Sequence, residues 1–282
     1  MKKIVPFVLM CALFVPLLAM SAGAAPASDT SLSSSWVSVY IGNERFTGNI
    51  RVTDSTTFVG IRRFSTAMDS TARVTYSSAT RTLTVSTDRL YLTAHDGDCY
   101  IVANGRYLYT PSPVYLRDGV MYAPILLMVR AFGASARWSD GISGFYVTRG
   151  SGGIRSGSAY YDSDEVYWLA KIISAESNGE PLLGKIAVGN VVLNRVRSAE
   201  FPNTIYGVIF DRQYGIQFTP VANGHIYDAA TAESIAAAKI CLEGTTVSTR
   251  ILYFVNPKLA PNSWIARTRP FYRQIGNHAF YL

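Results

Sequence analysis

An α+β chain in two domains is what this sequence predicts, and three observations carry that expectation. Segments offset by 64 residues repeat a strand, short helix, strand, strand pattern in the first half. Ser151-Gly152-Gly153-Ile154-Arg155-Ser156-Gly157-Ser158 then breaks all periodicity, and beyond it three apolar helical runs give way to short strands. At 282 residues, 49% hydrophobic and 16% charged, the chain is long enough to build two cores.

The first 24 residues read as a signal peptide. Met1-Lys2-Lys3, an apolar run from Ile4 to Met20 and the small residues Ser21-Ala22-Gly23-Ala24 supply its three parts, with cleavage before Ala25. Cys11 leaves with it, and Leu9-Met10 lack the small residue expected ahead of a lipid-modified cysteine. No other apolar stretch approaches the length that crosses a bilayer, so the expected product is secreted, or associated with the cell wall or spore envelope. Cys99 and Cys241 remain, one per domain, and are expected as free buried thiols.

The formal charge is +7, and two of those charges are signal-peptide lysines. From Ala25 to Ala159 there are 13 Arg and no Lys against 9 acidic residues; from Tyr160 onward, 11 basic and 10 acidic residues nearly cancel. The positive field therefore belongs to the first domain. For an exported protein its natural partners are anionic envelope polymers and lipid head groups rather than nucleic acid, and the charge alone also fits simple solubility.

In the repeat, Phe58-Val59-Gly60-Ile61 matches Tyr122-Ala123-Pro124-Ile125, and the 64-residue register continues through Ala67 with Ala131, Ala72 with Ala136 and Arg73 with Arg137. Each copy closes in an alternating strand, Leu83 to Val85 after Tyr76 and Phe145 to Val147 after Trp138. Hairpin-like segments, Val39 to Glu44 and Tyr100 to Gly105, precede the copies. This gives a duplicated α+β domain over 35–150. It resembles the stalk-like domain known from the N-terminus of copper amine oxidases. No metal is expected, since the stretch offers only His95 and Cys99 as soft ligands. Trp36, Tyr107, Tyr109, Tyr115 and Trp138 could stack on sugars, or pack in the core as alternating strand residues usually do.

A flexible linker is expected over 151–161, and a second domain over 162–282. Asp162 and Glu165 have capping-box spacing and start a helix. Val166, Leu169, Ile173 and Glu176 recur on one face of it, and Asn178-Gly179-Glu180-Pro181 ends it. A carboxylate on an apolar stripe at a helix C-terminus is pushed toward its protonated form by burial and by the helix dipole. Such a group suits a general acid. The residues alone also allow a bland role, hydrogen bonding to a neighbouring loop. A second helix is expected over Leu182 to Arg197, packed closely through Gly184 and Gly189, and a third over Asp228 to Leu242. Ile251 to Val255 and Phe271 to Leu282 read as strands. The irregular stretch Glu200 to Ile226 has the length of a site-lining loop.

Ile172 to Pro181, Ala187 to Arg195, Phe201-Pro202-Asn203, Gln217-Phe218, Tyr253 to Pro257 and Ile275 to Phe280 together resemble the SleB-type cell wall hydrolases, which include spore cortex-lytic enzymes. The similarity runs in order over the C-terminal domain. It implies a helix-rich lysozyme-like fold related to lytic transglycosylases, with Glu176 as catalytic acid. The activity implied is cleavage of the bond between N-acetylmuramic acid and N-acetylglucosamine in peptidoglycan glycan strands, without a cofactor. Gln217 and Asn256 would hydrogen-bond the sugars, and Phe218, Tyr253 and Trp264 would supply aromatic faces.

A conventional glycosidase needs a second carboxylate. Glu180 and Asp211 are the candidates, and each reads as a turn or surface residue, so the expectation is a lytic transglycosylase in which Glu176 serves as acid and then base. A zinc amidase cutting the muramyl-alanine bond would need clustered ligands, whereas His95, His225 and His278 are dispersed. A cysteine peptidase would need an activated thiol, and Cys241 sits among apolar neighbours in an alanine-rich run. Peptidoglycan binding without cleavage is the remaining alternative.

Overall fold

The computed structural model describes residues 37–282 apart from Tyr214 and Ile216; the expected signal peptide and Trp36 lie outside the described residues. The first repeat runs through β3 (Ile50–Thr53), β4 (Thr56–Gly60), α1 (Ile61–Met68), β5 (Arg73–Ser77) and β6 (Thr82–Ser86), preceded by the hairpin β1 (Ser38–Ile41) and β2 (Glu44–Arg45). After β7 (Tyr91–His95) and the hairpin β8 (Tyr100–Ala103) and β9 (Arg106–Tyr109), the second repeat follows: β10 (Tyr115–Arg117), β11 (Val120–Pro124), α2 (Ile125–Ala131), β12 (Ser135–Ser139) and β13 (Gly144–Thr148).

The copies meet through equivalent strands. β4 and β11 pair antiparallel with Val59 opposite Ala123, flanked by Gly60 with Tyr122 and Phe58 with Pro124. Val59 and Ala123 are counterparts at the 64-residue offset, so the pair marks a local two-fold axis at the centre of the sheet β10-β11-β4-β3. The turns feeding that sheet repeat too. Asp54 and Ser55 (φ 48° and 62°) match Asp118 and Gly119 (52° and 75°), the two successive positive φ angles that a tight two-residue hairpin requires. Past the helices the spatial correspondence slips to Tyr76 with Trp138. The pairs Ala72 with Ala136 and Arg73 with Arg137, which the sequence register suggests, are therefore not spatial equivalents; α2 and the link after it are each one residue shorter than their counterparts. Phe64, Phe132, Leu92, Ile101 and Met128 are among the buried residues of one core beneath these sheets.

The stretch 151–161 is tied down rather than flexible. Asn104 Nδ2 donates to the Ile154 carbonyl at 2.8 Å, Gly157 N donates to the Asn104 carbonyl at 2.7 Å, and α3 (Gly157–Tyr160) follows. Gly153 packs so closely on the Arg89 carbonyl that a Cβ there would sit 2.1 Å from it. The glycines that read as flexibility in the sequence serve close backbone approach instead.

In the second domain α4 (Ser163–Ser177) opens on Asp162, whose carboxylate accepts from the backbone of Asp164 and Glu165. α5 (Leu182–Arg197) crosses it at Gly189, where a Cβ would come within 2.7 Å of Cys241 Sγ and 2.9 Å of Ile173 Cδ1. After the short helices α6 (Ile205–Ile209) and α7 (Thr219–Asn223), α8 (Ala232–Leu242) completes the bundle. The third helix thus begins later than Asp228. His225 Nδ1 and the Asp228 carboxylate pair at 2.8 Å, and the Thr231 side chain caps the helix by accepting from Ser234 N.

β14 (Tyr253–Val255), α9 (Trp264–Thr268), β15 (Phe271–Ile275) and β16 (His278–Tyr281) finish the chain, the strands in the order β14-β16-β15. Ile251 and Leu252 stand outside the strand because their carbonyls accept from Asn194 Nδ2 and Arg195 Nε of α5. Asn190 extends this seam, donating to the Thr245 carbonyl and accepting from Val247 N. Polar residues on a buried helix face are thereby satisfied by irregular backbone. Among the described residues no helix is long and apolar enough to cross a membrane.

The described residues of both domains belong to one compact unit. Tyr100, Tyr107 and Tyr109 of the β8–β9 hairpin pack against the second core. The Glu243 carboxylate, fully buried, accepts two bonds from Arg106 at 2.8 and 2.7 Å, one from Tyr161 Oη at 2.7 Å and one from Arg130. The Arg106 guanidinium also lies 3.4 Å over the Tyr160 ring. Two of the first domain's arginines are therefore engaged by the second.

Candidate active site

Glu176 occupies the penultimate position of α4, and Gly179 (φ 85°) turns the chain away behind it. Leu169 and Ile173, on the same stripe, are fully buried. Glu176 itself is half-buried and opens into a cleft of about 490 Å³. Burial pushes its carboxyl from the ordinary 4.5 up to about 7, with the Arg195 charge pulling the other way. A substantial fraction is then protonated at neutral pH and within reach of a ligand.

Arg195 comes from the last turns of α5 and is only 5% exposed. Its Nε donates to the Leu252 carbonyl at 2.8 Å, and its guanidinium lies 4.9 Å from the Phe201 ring centre, 5.2 Å from Phe218 and 5.4 Å from Tyr253. Burial lowers its pKa to about 10, opposed by Tyr253, Asp211 and Glu176. Among the described residues its Nη1 finds no hydrogen-bond partner. The sequence carries no signal that sets this residue apart, because α5 also holds Lys185 and Arg197 and only the fold shows which of the three cations is caged beside Glu176.

A second lobe of about 660 Å³ adjoins the first and shares Arg195, Gln217 and Ile265 with it. The five residues expected to bind sugar all line this double cleft. Phe218 and Asn256 lie along the Glu176 lobe, Tyr253 and Trp264 along the other, and Gln217 along both. Phe218 and Tyr253 are buried and act as walls of the Arg195 cage, whereas Trp264 is 52% exposed and stands edge-on to Tyr253 at 5.8 Å. Arg269, lying 4.5 Å over the Tyr253 ring, closes the outer lobe.

Glu180 stands in the turn after α4, as its sequence position suggested, but it is not on the surface. It is 8% exposed, lines the Glu176 lobe, and grips the β15–β16 turn by accepting from Asn277 N at 2.9 Å and Asn277 Nδ2 at 3.0 Å. Burial raises its pKa, but the Asn277 bonds outweigh that effect and hold it below the usual carboxylate range. Two carboxyl groups four residues apart are thus shifted in opposite directions by their surroundings. Asp211 does not line either lobe. His278 is buried beside Glu180, and desolvation lowers its pKa. Cys241 is buried and its thiol pushed far upward, a poor nucleophile. Among the described residues no three His, Cys, Asp or Glu side chains are grouped to hold a metal.

Residues 179–281 match the Cell Wall Hydrolase family. The carboxy-terminal domain belongs to that family. The matched span of this cell wall hydrolase domain holds every residue of the double cleft except Glu176 and Asn178, which lie just upstream of it. Residues 41–146 match the Copper amine oxidase N-terminal domain. The spore cortex-lytic enzyme of Bacillus cereus is 41% identical over 120 residues, 43% of this chain and 45% of that protein. Its namesake in Bacillus subtilis is 36% identical over 120 residues, 43% of this chain and 38% of that one. The solved catalytic domain of the germination-specific lytic transglycosylase SleB from Bacillus anthracis is 38% identical, covering 46% of this chain and 100% of that one at a TM-score of 0.40. The chain thus spans less than half the length of these curated spore cortex-lytic relatives, and the likeness lies in the cell wall hydrolase domain.

Proposed function

We propose that this protein is an exported peptidoglycan-degrading enzyme that cleaves the glycosidic bond between N-acetylmuramic acid and N-acetylglucosamine as a lytic transglycosylase. The observation that carries the reading is Glu176: a half-buried carboxyl with a pKa near 7, opening into a cleft lined by amides and aromatic rings. Protonated Glu176 gives its proton to the leaving oxygen as the bond to muramic C1 breaks. The carboxylate so formed takes the proton of the muramic 6-hydroxyl while that oxygen bonds to C1, closing an anhydro ring and restoring the acid. Arg195, fixed through Leu252 and its aromatic cage, stabilises the carboxylate in the interval between the two transfers.

Gln217 and Asn256 hold acetamido and hydroxyl groups, and Trp264 with Tyr253 stacks on a sugar in the outer lobe. Glu180 favours this route over hydrolysis, because both of its oxygens are engaged by Asn277 rather than free to activate water. The family match and the names of the relatives support a wall substrate, and the basic first domain suits an anionic wall polymer. The test is digestion of purified peptidoglycan by the intact chain and by Glu176→Gln. The intact chain should release anhydro-muramic ends. Product formation by the variant at the parent rate would remove Glu176 from the mechanism.

A further inference from the structure

The local two-fold of the first domain duplicates a surface groove as well as a fold. One groove, about 500 Å³, is lined on one side by Val52, Ser55, Thr56 and Thr57 of the first repeat and on the other by Pro124, Leu126, Trp138 and Phe145 of the second. The other, about 440 Å³, is lined by Leu116, Gly119, Val120 and Met121 of the second repeat and by Gly60, Arg62, Tyr76 and Leu83 of the first. These are the same positions with the repeats exchanged. Val52 answers to Leu116, the turn residue Ser55 to Gly119, Leu126 to Arg62, Trp138 to Tyr76 and Phe145 to Leu83.

Each groove presents an aromatic ring to solvent, Trp138 at 48% exposure and Tyr76 at 39%. Trp138 is held in place: its Nε1 donates to Asp140 Oδ1 at 2.7 Å and Phe145 meets it edge-on at 5.0 Å. Leu126 adds exposed apolar surface to the first groove, and Arg62 and Arg63 give the second a positive rim. An open groove with an exposed aromatic ring and polar neighbours, the hydroxyls of Ser55, Thr56 and Thr57 in the first and Asn49 with the two arginines in the second, suits a pyranose, whose C–H face is apolar and whose edge is polar. The two-fold sets the grooves in opposed directions, so the pair suits two stretches of a repeating polymer rather than one straight directional run.

We propose that the first domain carries two carbohydrate subsites, related by its internal two-fold and built on Trp138 and Tyr76, that grip glycan strands of the wall outside the catalytic cleft. The choice of polymer rests on the function proposed above; the binding itself does not depend on any chemistry at Glu176. The test therefore uses the full chain carrying Glu176→Gln, with purified peptide-free glycan strands as the probe and affinity measured by calorimetry.

Trp138→Ala and Tyr76→Ala should each weaken binding roughly tenfold, and the double variant more than either, as bivalent attachment demands. Leu126→Glu, at an exposed position of the Trp138 groove, should weaken binding with an unchanged melting temperature, which separates loss of the site from loss of the fold. With Glu176 intact, turnover of short soluble fragments should be untouched by any of the three substitutions. Unaltered affinity in Leu126→Glu and Trp138→Ala would overturn the proposal, and so would binding that requires the stem peptides. Failure of the glycosidase reading would instead show in the products, with these affinities unchanged.

Discussion

Replacing Glu176 by glutamine should make the protein less active and, above neutral pH, more stable. Burial raises the folded-state pKa of Glu176 from 4.5 to about 7. Between those values the folded chain holds a proton that the unfolded chain has released, so stability falls as pH rises through the interval. The favourable contribution is complete below about pH 4.5 and lost once pH passes about 7. At 1.36 kcal/mol per pKa unit the full swing is about 3 kcal/mol, trimmed to about 2–3 because part of the side chain meets cleft water. Glutamine never ionises and keeps the shape of the protonated acid. Urea unfolding of the two proteins at pH 4 and pH 8 isolates the effect, since every other titrating group is common to both. The variant should gain about 2–3 kcal/mol on the parent between the two pH values. An equal difference at both would refute the claim that Glu176 is desolvated in the folded state.

Four further perturbations follow from the geometry. With Glu176 as the acid, kcat/KM should fall as pH rises through about 7, and Arg195→Met, which removes a charge favouring the carboxylate, should move that limb to higher pH. A limb that stays put in the variant would disconnect the two residues. Glu243→Ala leaves Arg106 buried and unpaired, so it should cost about 3–5 kcal/mol and split one calorimetric transition into two; a single unshifted peak would argue against a latch between the domains. Gly189→Ala drives a methyl into Cys241 and Ile173, for an expected loss of about 1–3 kcal/mol in chemical denaturation, and an unchanged midpoint would show that the helices can part there. Asn277→Ala removes the Nδ2 bond and releases Oε1 of Glu180, while the backbone N–H of residue 277 keeps Oε2, and reducing ends should then appear among the products; their absence would show that one released oxygen does not make Glu180 a second carboxylate.

Features encoded locally were legible in the sequence. The span of α5 and the start of α4 at Asp162 follow from helical period, capping and stop signals, and the two repeats are visible because each copy carries its own strand and helix pattern. The position of Glu176 was legible for the same reason: an acid on an apolar stripe is a local contradiction. What escaped depends on distant partners. Arg106 and Glu243 lie 137 residues apart, and Glu180 and Asn277 97 apart, and neither pairing leaves a periodic trace. The glycines at 153 and 157 misled because composition cannot distinguish a flexible glycine from one that admits a neighbouring backbone. Arg195 was missed because its surroundings come from three separate segments, at 201, 218 and 253. Trp138 was read as core or sugar platform, and only the fold shows that its ring faces out.

The central claim is that Glu176 acts as acid and then base without a free second carboxylate. Mass spectrometry of the products from purified peptidoglycan, digested in water enriched in ¹⁸O, tests it most directly. A transglycosylase should yield anhydro-muramic ends carrying no label, all of them lost in Glu176→Gln. Reducing muramic ends formed in excess of those in the undigested polymer would contradict it, because water rather than the 6-hydroxyl would then have attacked.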